Sequence, residues 1–326
     1  MSDLKHKILD MVKDDLAEIE IALEQNLKPH LDLVSKIAGH ILFSGGKRLR
    51  PLLMVLSARI CGYDGNYDKT FSTIFEYLHA ATLLHDDLVD EATLRRGKPA
   101  AHIVWDNPSA VLVGDFLLAR ALSIAAVTEQ PDIIKVVAQI TENMSEGELH
   151  QLMRKGSLDL TEAEYMEIIR RKTAVLFEGA CRVSALIAHT TEEKKSALSA
   201  YGFNLGIAFQ MADDLLDYTT DTQAIGKAVG ADLREGKLTL PVIYSLQKAH
   251  ADDRRLMEKI IKNTNFSVHD FETLIELLHR YGGIAYTQKM AADYIQRAKG
   301  ALSVFEDSTT KEIFLMVADY TLERKS

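Results

Sequence analysis

Proline is almost missing from the second half of this chain. The six prolines are Pro29, Pro51, Pro99, Pro108, Pro131 and Pro241, so 132–240 and 242–326 run free of the strongest helix breaker. Leu, Ala, Ile, Met, Glu and Lys dominate, mostly good helix formers, and strand-type alternation is hard to find. The chain is predicted to be all-α. Its 326 residues, 47% hydrophobic, suffice for a large core, and with no flexible linker in sight they read as a single domain over 1–326.

Apolar residues at helical spacing mark helices near 4–24, 30–43, 47–61, 68–91, 108–127, 132–155, 162–189, 193–218, 238–248, 252–263, 268–281, 283–304 and 308–323. Thr161 with Glu164 and Thr190 with Glu193 have the spacing of capping boxes. The stretch 219–237, with Gly226, Gly230 and Gly236, reads as a polar loop. The net charge is −9 with no Lys/Arg-rich block, which excludes a nucleic-acid surface. Cys61 and Cys181 fit neither a metal spacing nor a disulfide framework, and suit a reducing, cytoplasmic compartment. Met1–Asp10 has no signal-peptide core, and no apolar run of about 18 residues is expected to span a bilayer.

Two aspartate-rich strings interrupt apolar helices. In His85-Asp86-Asp87-Leu88-Val89-Asp90, Asp86 and Asp90 lie four apart on one helical face, with Thr82 and His79 above them. In Asp213-Asp214-Leu215-Leu216-Asp217, Asp213 and Asp217 repeat the spacing below Gln210 and an apolar run. Unpaired buried carboxylates are costly, and a cation is the usual remedy. Magnesium prefers one or two carboxylates plus phosphate oxygens over an all-protein cage, so two facing pairs suit several ions around one diphosphate. Either string alone reads equally well as a solvated acidic patch. The repetition inside apolar helices favours the metal.

A diphosphate also needs protein cations. Lys47 and Arg50 sit three apart at a predicted helix start, where backbone N–H groups favour anions. Arg95 and Arg96 follow the first aspartate string, Lys172-Thr173 breaks a helical pattern, and Lys227 and Lys237 lie in the polar loop. Singly, each reads as surface decoration, and His79 or His85 as a packed core histidine.

Taken in order, the strings Gly45-Gly46-Lys47-Arg48-Leu49-Arg50-Pro51, His79 to Asp90 with Arg95-Arg96-Gly97, Gly114-Asp115-Phe116-Leu117, Lys172-Thr173-Ala174, Gln210 to Asp217 and Gly226-Lys227 through Gly236-Lys237 resemble the trans-isoprenyl diphosphate synthases, or polyprenyl synthetases. The resemblance covers about 40–245. It implies a bundle of antiparallel helices around a deep central cavity, and charged groups sorted by role. Asp86, Asp90, Asp213 and Asp217 would hold Mg2+, three ions per site, with Asp87 and Asp214 acting behind them. Arg95, Lys172, Lys227 and Lys237 would bind the allylic diphosphate, farnesyl or geranyl. Lys47, Arg50, His79 and Arg96 would bind isopentenyl diphosphate, while Thr173 and Gln210 would lie beside the allylic cation. A homodimer and transient membrane contact for product release are further implications.

In this family residues just before the first aspartate motif limit product length. Here they are Ala81 and Thr82, neither aromatic, with Met153 or a nearby bulky residue as a deeper floor. That implies a C35–C50 product, octaprenyl favoured, of the kind that feeds quinone side chains. The rivals are a C15–C20 synthase, an HD-type phosphohydrolase suggested by His85-Asp86, and a regulatory subunit, which would typically lack one of the aspartate motifs.

Overall fold

A computed structural model describes residues 3–219 and 230–323. Its amino-terminal helices are α1 (Asp3–Met11), α2 (Lys13–Leu27), α3 (Asp32–Leu42), α4 (Leu49–Ile60) and α5 (Tyr67–Val89). The hairpin β1 (Leu94–Arg95) and β2 (Lys98–Pro99) follows, then α6 (Ala101–Val104), α7 (Asn107–Ala125) and α8 (Pro131–Met153). Next come α9 (Glu162–Ile169), a π-helical turn at Arg170–Ala174, α10 (Val175–Ile187) and α11 (Glu192–Thr219). The rest comprises α12 (Ala231–Arg234), α13 (Leu240–Lys248), α14 (Ala251–Lys262), α15 (Val268–Arg280), α16 (Gly283–Ala301) and α17 (Thr309–Glu323). The fold is all-α, as the proline distribution requires.

Differences from the sequence reading have local causes. The helix expected over 4–24 breaks at Val12 into α1 and α2. Thr161 and Glu164 do form a reciprocal capping box. At α11 the cap is Thr191, not Thr190: its hydroxyl accepts the Lys194 N–H at 3.4 Å. After α5 the chain forms a hairpin in which Leu94 pairs with Pro99 and Arg95 with Lys98. Arg96 and Gly97, at φ 52° and 75°, supply the two left-handed residues that such a tight turn demands. The sequence reading found no apolar run of membrane-spanning length, yet by length and composition Asn107–Thr128, which is α7 and the turn after it, is long and apolar enough to cross a membrane, with 39% of its apolar window buried within the chain. Asp115 and Arg120 interrupt it, and the Arg120 guanidinium donates to the Asn26 carbonyl at 2.5 Å.

One apolar core joins α2, α4, α5, α7, α8 and α10 with the first half of α11, and another joins α9 and the second half of α11 with α13 to α16. Helix α11 serves both, packing on α10 and on α16. Two glycines let it approach α10. A Cβ at Gly202 would lie 2.6 Å from the Phe177 carbonyl oxygen, and one at Gly206 would lie 2.6 Å from Ala174 Cα. Because those neighbours are backbone, they cannot swing aside. Gly202→Ala should therefore lower unfolding stability by about 1–3 kcal/mol through overpacking. Urea denaturation checks this, and an unchanged midpoint would show that the two helices have slack.

Candidate active site

A cavity of about 840 Å³ opens between the end of α5, α8, the π turn, α11 and the 232–239 segment. The last turns of α5 direct His79, Thr82 and Asp86 into it. Asp86 and Asp87 then part company. Asp87 turns away, 1% exposed, and accepts hydrogen bonds from Arg95, including one from Nε at 2.8 Å. The second aspartate thus orients Arg95 from behind. Asp86 is left among groups that disfavour its charge. Burial, then Glu148 and Asp90, push its carboxyl up to about 7 against the pull of Lys172 and Lys237. Asp90 caps α5 and faces Lys237 Nζ at 2.6 Å. Burial opposes that ammonium's charge, but hydrogen bonds to Asp90 and Glu235 outweigh it and raise its pKa.

On α11 the division is less complete. Asp213 and Asp214 both line the cavity, with Asp214 buried. Asp214 accepts the Tyr165 hydroxyl at 2.5 Å and the Gln210 amide at 2.8 Å, and Thr173 donates to Gln210 Oε1 at 2.7 Å. The Gln210 amide nitrogen thus faces Asp214 and its oxygen faces Thr173. Burial pushes the Asp214 carboxyl up to about 7, helped by Asp213 and Asp217 and opposed by these two hydrogen bonds. Asp217 Oδ2 accepts the Asp232 N–H at 2.9 Å. The Asp232 carboxyl is raised well above its ordinary value by burial, Asp217 and Asp214.

The π turn explains how Lys172 and Thr173, neighbours in sequence, both reach the cavity. The wider turn is bracketed by glycines. A Cβ at Gly147 on α8 would lie 3.0 Å from Lys172 N, and Gly206 presses from α11. Lys172 is held by Glu148 and Gln151 of α8.

Basic residues form the opposite pole. Arg48, at φ 46°, precedes α4 and is anchored by Glu20, by Glu76 at 2.7 Å and by the Leu42 carbonyl at 2.6 Å. Lys47 and Arg50 line the cavity on either side of it, and Arg50 lies 4.8 Å over the Phe177 ring. Arg96 donates to the Gly45 carbonyl. Burial, then Arg50, Arg96, Arg95 and Arg48, hold the His79 imidazole well below its ordinary pKa, hence neutral. A neutral donor within a guanidinium cluster at a helix start suits a multiply charged anion.

The cavity therefore brings together Lys47, Arg50, His79, Thr82, Asp86, Arg95, Arg96, Lys172, Thr173, Gln210, Asp213 and Lys237. Lys227 lies outside the described residues. Ala81 is fully buried and Thr82 takes the wall position instead. Met153 is no floor: it ends α8 pointing outward, 80% exposed, while Met144 and Leu152 face the cavity. Sequence reading missed Tyr165, Glu148, Gln151 and Asp232. Glu148 and Gln151 sit three apart on α8, a weak signal, and Tyr165 gave none. His85 lines the cavity as well, and its Nε2 lies 3.2 Å from the Val111 carbonyl, in space that a Cβ at Gly114 would occupy.

Do these residues fit a divalent cation? Among the described residues no three His, Cys, Asp or Glu side chains form a ready metal cage. Asp86 and Asp213 instead stand on separate helices, Asp86 in the last turn of α5, which carries no basic residue. A carboxylate beside a negative helix end suits a cation shared with phosphate oxygens.

The raised Asp214 carboxyl has a consequence for stability. Its proton is held more tightly in the folded state than in the unfolded state, so its contribution is full below the ordinary carboxylate range and is lost as pH rises toward about 7. For the metal-free protein, the Tm difference between the native chain and Asp214→Asn should shift against the native chain from about pH 5 to about pH 8. Parallel melting curves would refute the assignment.

A polyprenyl synthetase family model matches residues 31–278. Octaprenyl diphosphate synthase of Escherichia coli K12 is 36% identical over 318 residues, covering 98% of each chain. An all-trans-nonaprenyl-diphosphate synthase of Rhodobacter capsulatus is 36% identical, covering 99% of this chain and 98% of the relative. A geranylgeranyl diphosphate synthase of Methanosarcina mazei is 31% identical, covering 98% of each. Among solved structures, a Caulobacter crescentus polyprenyl synthase complexed with calcium and isoprenyl diphosphate superposes with a TM-score of 0.91 at 38% identity, covering 98% of each chain.

Proposed function

The chain belongs to the polyprenyl synthetase family, whose members are prenyltransferases, and from that premise we propose that it condenses isopentenyl diphosphate head to tail with an allylic diphosphate, farnesyl or geranyl, to build a long all-trans chain. One observation carries the reading: a single cavity sets Asp86 and Asp213 against a guanidinium cluster, with apolar wall between. The product proposed is C35–C50, octaprenyl favoured, for a quinone side chain. Similarity to octaprenyl and nonaprenyl synthases supports that length, as does the small Thr82 on the wall.

Asp86, Asp90, Asp213 and Asp217 would hold Mg2+, three per site, which when bound offsets the charge of the allylic diphosphate and its leaving pyrophosphate. The chain's own groups do the remaining work. Lys172, Lys237 and Arg95 hold that diphosphate as its C–O bond breaks and the electron pair leaves with pyrophosphate. The oxygen edge of Gln210, fixed by Asp214 and Tyr165, lies with Thr173 beside the allylic cation. Lys47, Arg50, His79 and Arg96 hold isopentenyl diphosphate so that its double bond forms the new C–C bond. Pyrophosphate takes the proton lost. Leu83, Met144, Ile169 and Phe209 exclude water from the cation. A homodimer through α7 would cover Val111, Leu112 and Leu122, which are exposed in the single chain, and product release would involve transient membrane contact from the cytoplasm.

Chromatography of products from labelled isopentenyl diphosphate and farnesyl diphosphate tests the reading. A C40-range product is expected, and a C20 product would replace it with the short-chain alternative. Thr82→Phe should shorten the product, because the ring would fill the wall beneath the diphosphate. An unchanged length would remove Thr82 from the ruler. Asp86→Ala should lower kcat by at least about a thousandfold in magnesium with an unaltered helical spectrum. Near-normal turnover would sink the metal assignment.

A further inference from the structure

Asp90 presents each carboxylate oxygen to a different ammonium. Lys237 Nζ lies 2.6 Å from Oδ2, and Lys155 Nζ lies 3.6 Å from Oδ1. Lys155 belongs to the turn after α8, outside every motif identified above. Its backbone is fixed in place. The Gly156 N–H donates to the Gly236 carbonyl at 2.8 Å, tying this turn to the residue before Lys237. Gly236 sits at φ +75°, and a Cβ there would lie 3.0 Å from Lys155 Cγ and 3.4 Å from Gly156 N. The lysine stem thus packs on glycine backbone, and the residue lines the cavity with its side chain 35% exposed.

We propose that Lys155 is a further binding residue for the allylic diphosphate, kept on Asp90 until that substrate arrives. The proposal rests on the reading that Asp90 serves the allylic side. A carboxylate that takes a divalent cation cannot keep two ammoniums at the same oxygens, because like charges a few ångströms apart repel strongly away from bulk water. Lys237 retains Glu235 at 2.7 Å. Among the described residues Lys155 has no ion pair besides Asp90. Its flexible stem carries three rotatable donors, and the nearest new anion is the diphosphate. Released from Asp90, the ammonium moves onto a phosphate oxygen while its backbone stays pinned to Gly236. Binding then exchanges partners between two lysines, a carboxylate, a cation and an anion, without leaving charge unpaired in the cavity.

The test uses the full chain with Lys155→Met, Lys155→Arg and, as a benchmark, Lys237→Met. Calorimetric titration with inorganic pyrophosphate and magnesium should show about tenfold weaker binding for Lys155→Met, the worth of one charge-assisted hydrogen bond in a half-exposed setting, and near-native binding for Lys155→Arg. In steady state the KM for farnesyl diphosphate should rise similarly while the KM for isopentenyl diphosphate stays within about twofold. If Lys237→Met weakens pyrophosphate binding and Lys155→Met does not, the proposal is wrong and the allylic assignment stands. If neither variant weakens it, the allylic assignment falls and takes the proposal with it. Equal rises in both KM values would also overturn it, since they would mark a general loss of site structure.

Discussion

The site depends on how an apolar helical bundle tolerates buried carboxylates. Taking such a group out of water costs several kcal/mol unless a partner is supplied. Asp87 has Arg95, Asp90 has Lys237, Asp214 has Tyr165 and Gln210, and Glu76 has Arg48. These pairs also fix geometry. All but the Asp214–Gln210 contact within α11 tie a group on one helix to a group on another element, so the cavity wall is braced by the same contacts that make its charge tolerable. Asp86 is the exception in kind. It sits close to Glu148 and Asp90, and the chain alone balances it poorly.

The two aspartate strings are identical in spacing. In each, the first aspartate lines the cavity and the second is buried, Asp87 turned away from the cavity and Asp214 at its wall. The second aspartates differ in what they position. Asp87 steers a guanidinium that belongs to the diphosphate pole, whereas Asp214 sets the direction of an amide and, through it, the Thr173 hydroxyl. One helical spacing therefore serves both charge and polarity control, because adjacent residues on a helix point about 100° apart.

Helix content, the two strings and the basic positions were legible because period and residue type carry them. Asp86 and Asp90 could be placed on one face by counting. Tyr165 could not be found that way. It is an ordinary core-facing position of α9, and its role exists only because α9 packs beside α11. The π turn was half visible: Lys172-Thr173 looked like an interruption, but the glycines that let α8 and α11 approach the turn, Gly147 and Gly206, are remote in sequence. Met153 was misplaced because one residue decides which way a helix end points, and Leu152 took the cavity side. Ala81 and Thr82 were separated by the same rule.

Helix ends complete the electrostatic design. Asp86 lies in the last turn of α5, so carbonyl dipoles add to carboxylate charge, and no basic residue occupies that turn. Across the cavity α4 begins beside Lys47 and Arg50, so N–H dipoles add to guanidinium charge. A helix fixes such dipoles before any ligand arrives, which removes reorganisation from the reaction. The same α5 that ends in aspartates also contributes Thr82 to the wall one turn earlier. Asp86 and Thr82 are thus held at a fixed separation by one rigid element, and a shift of α5 along its axis would move both together.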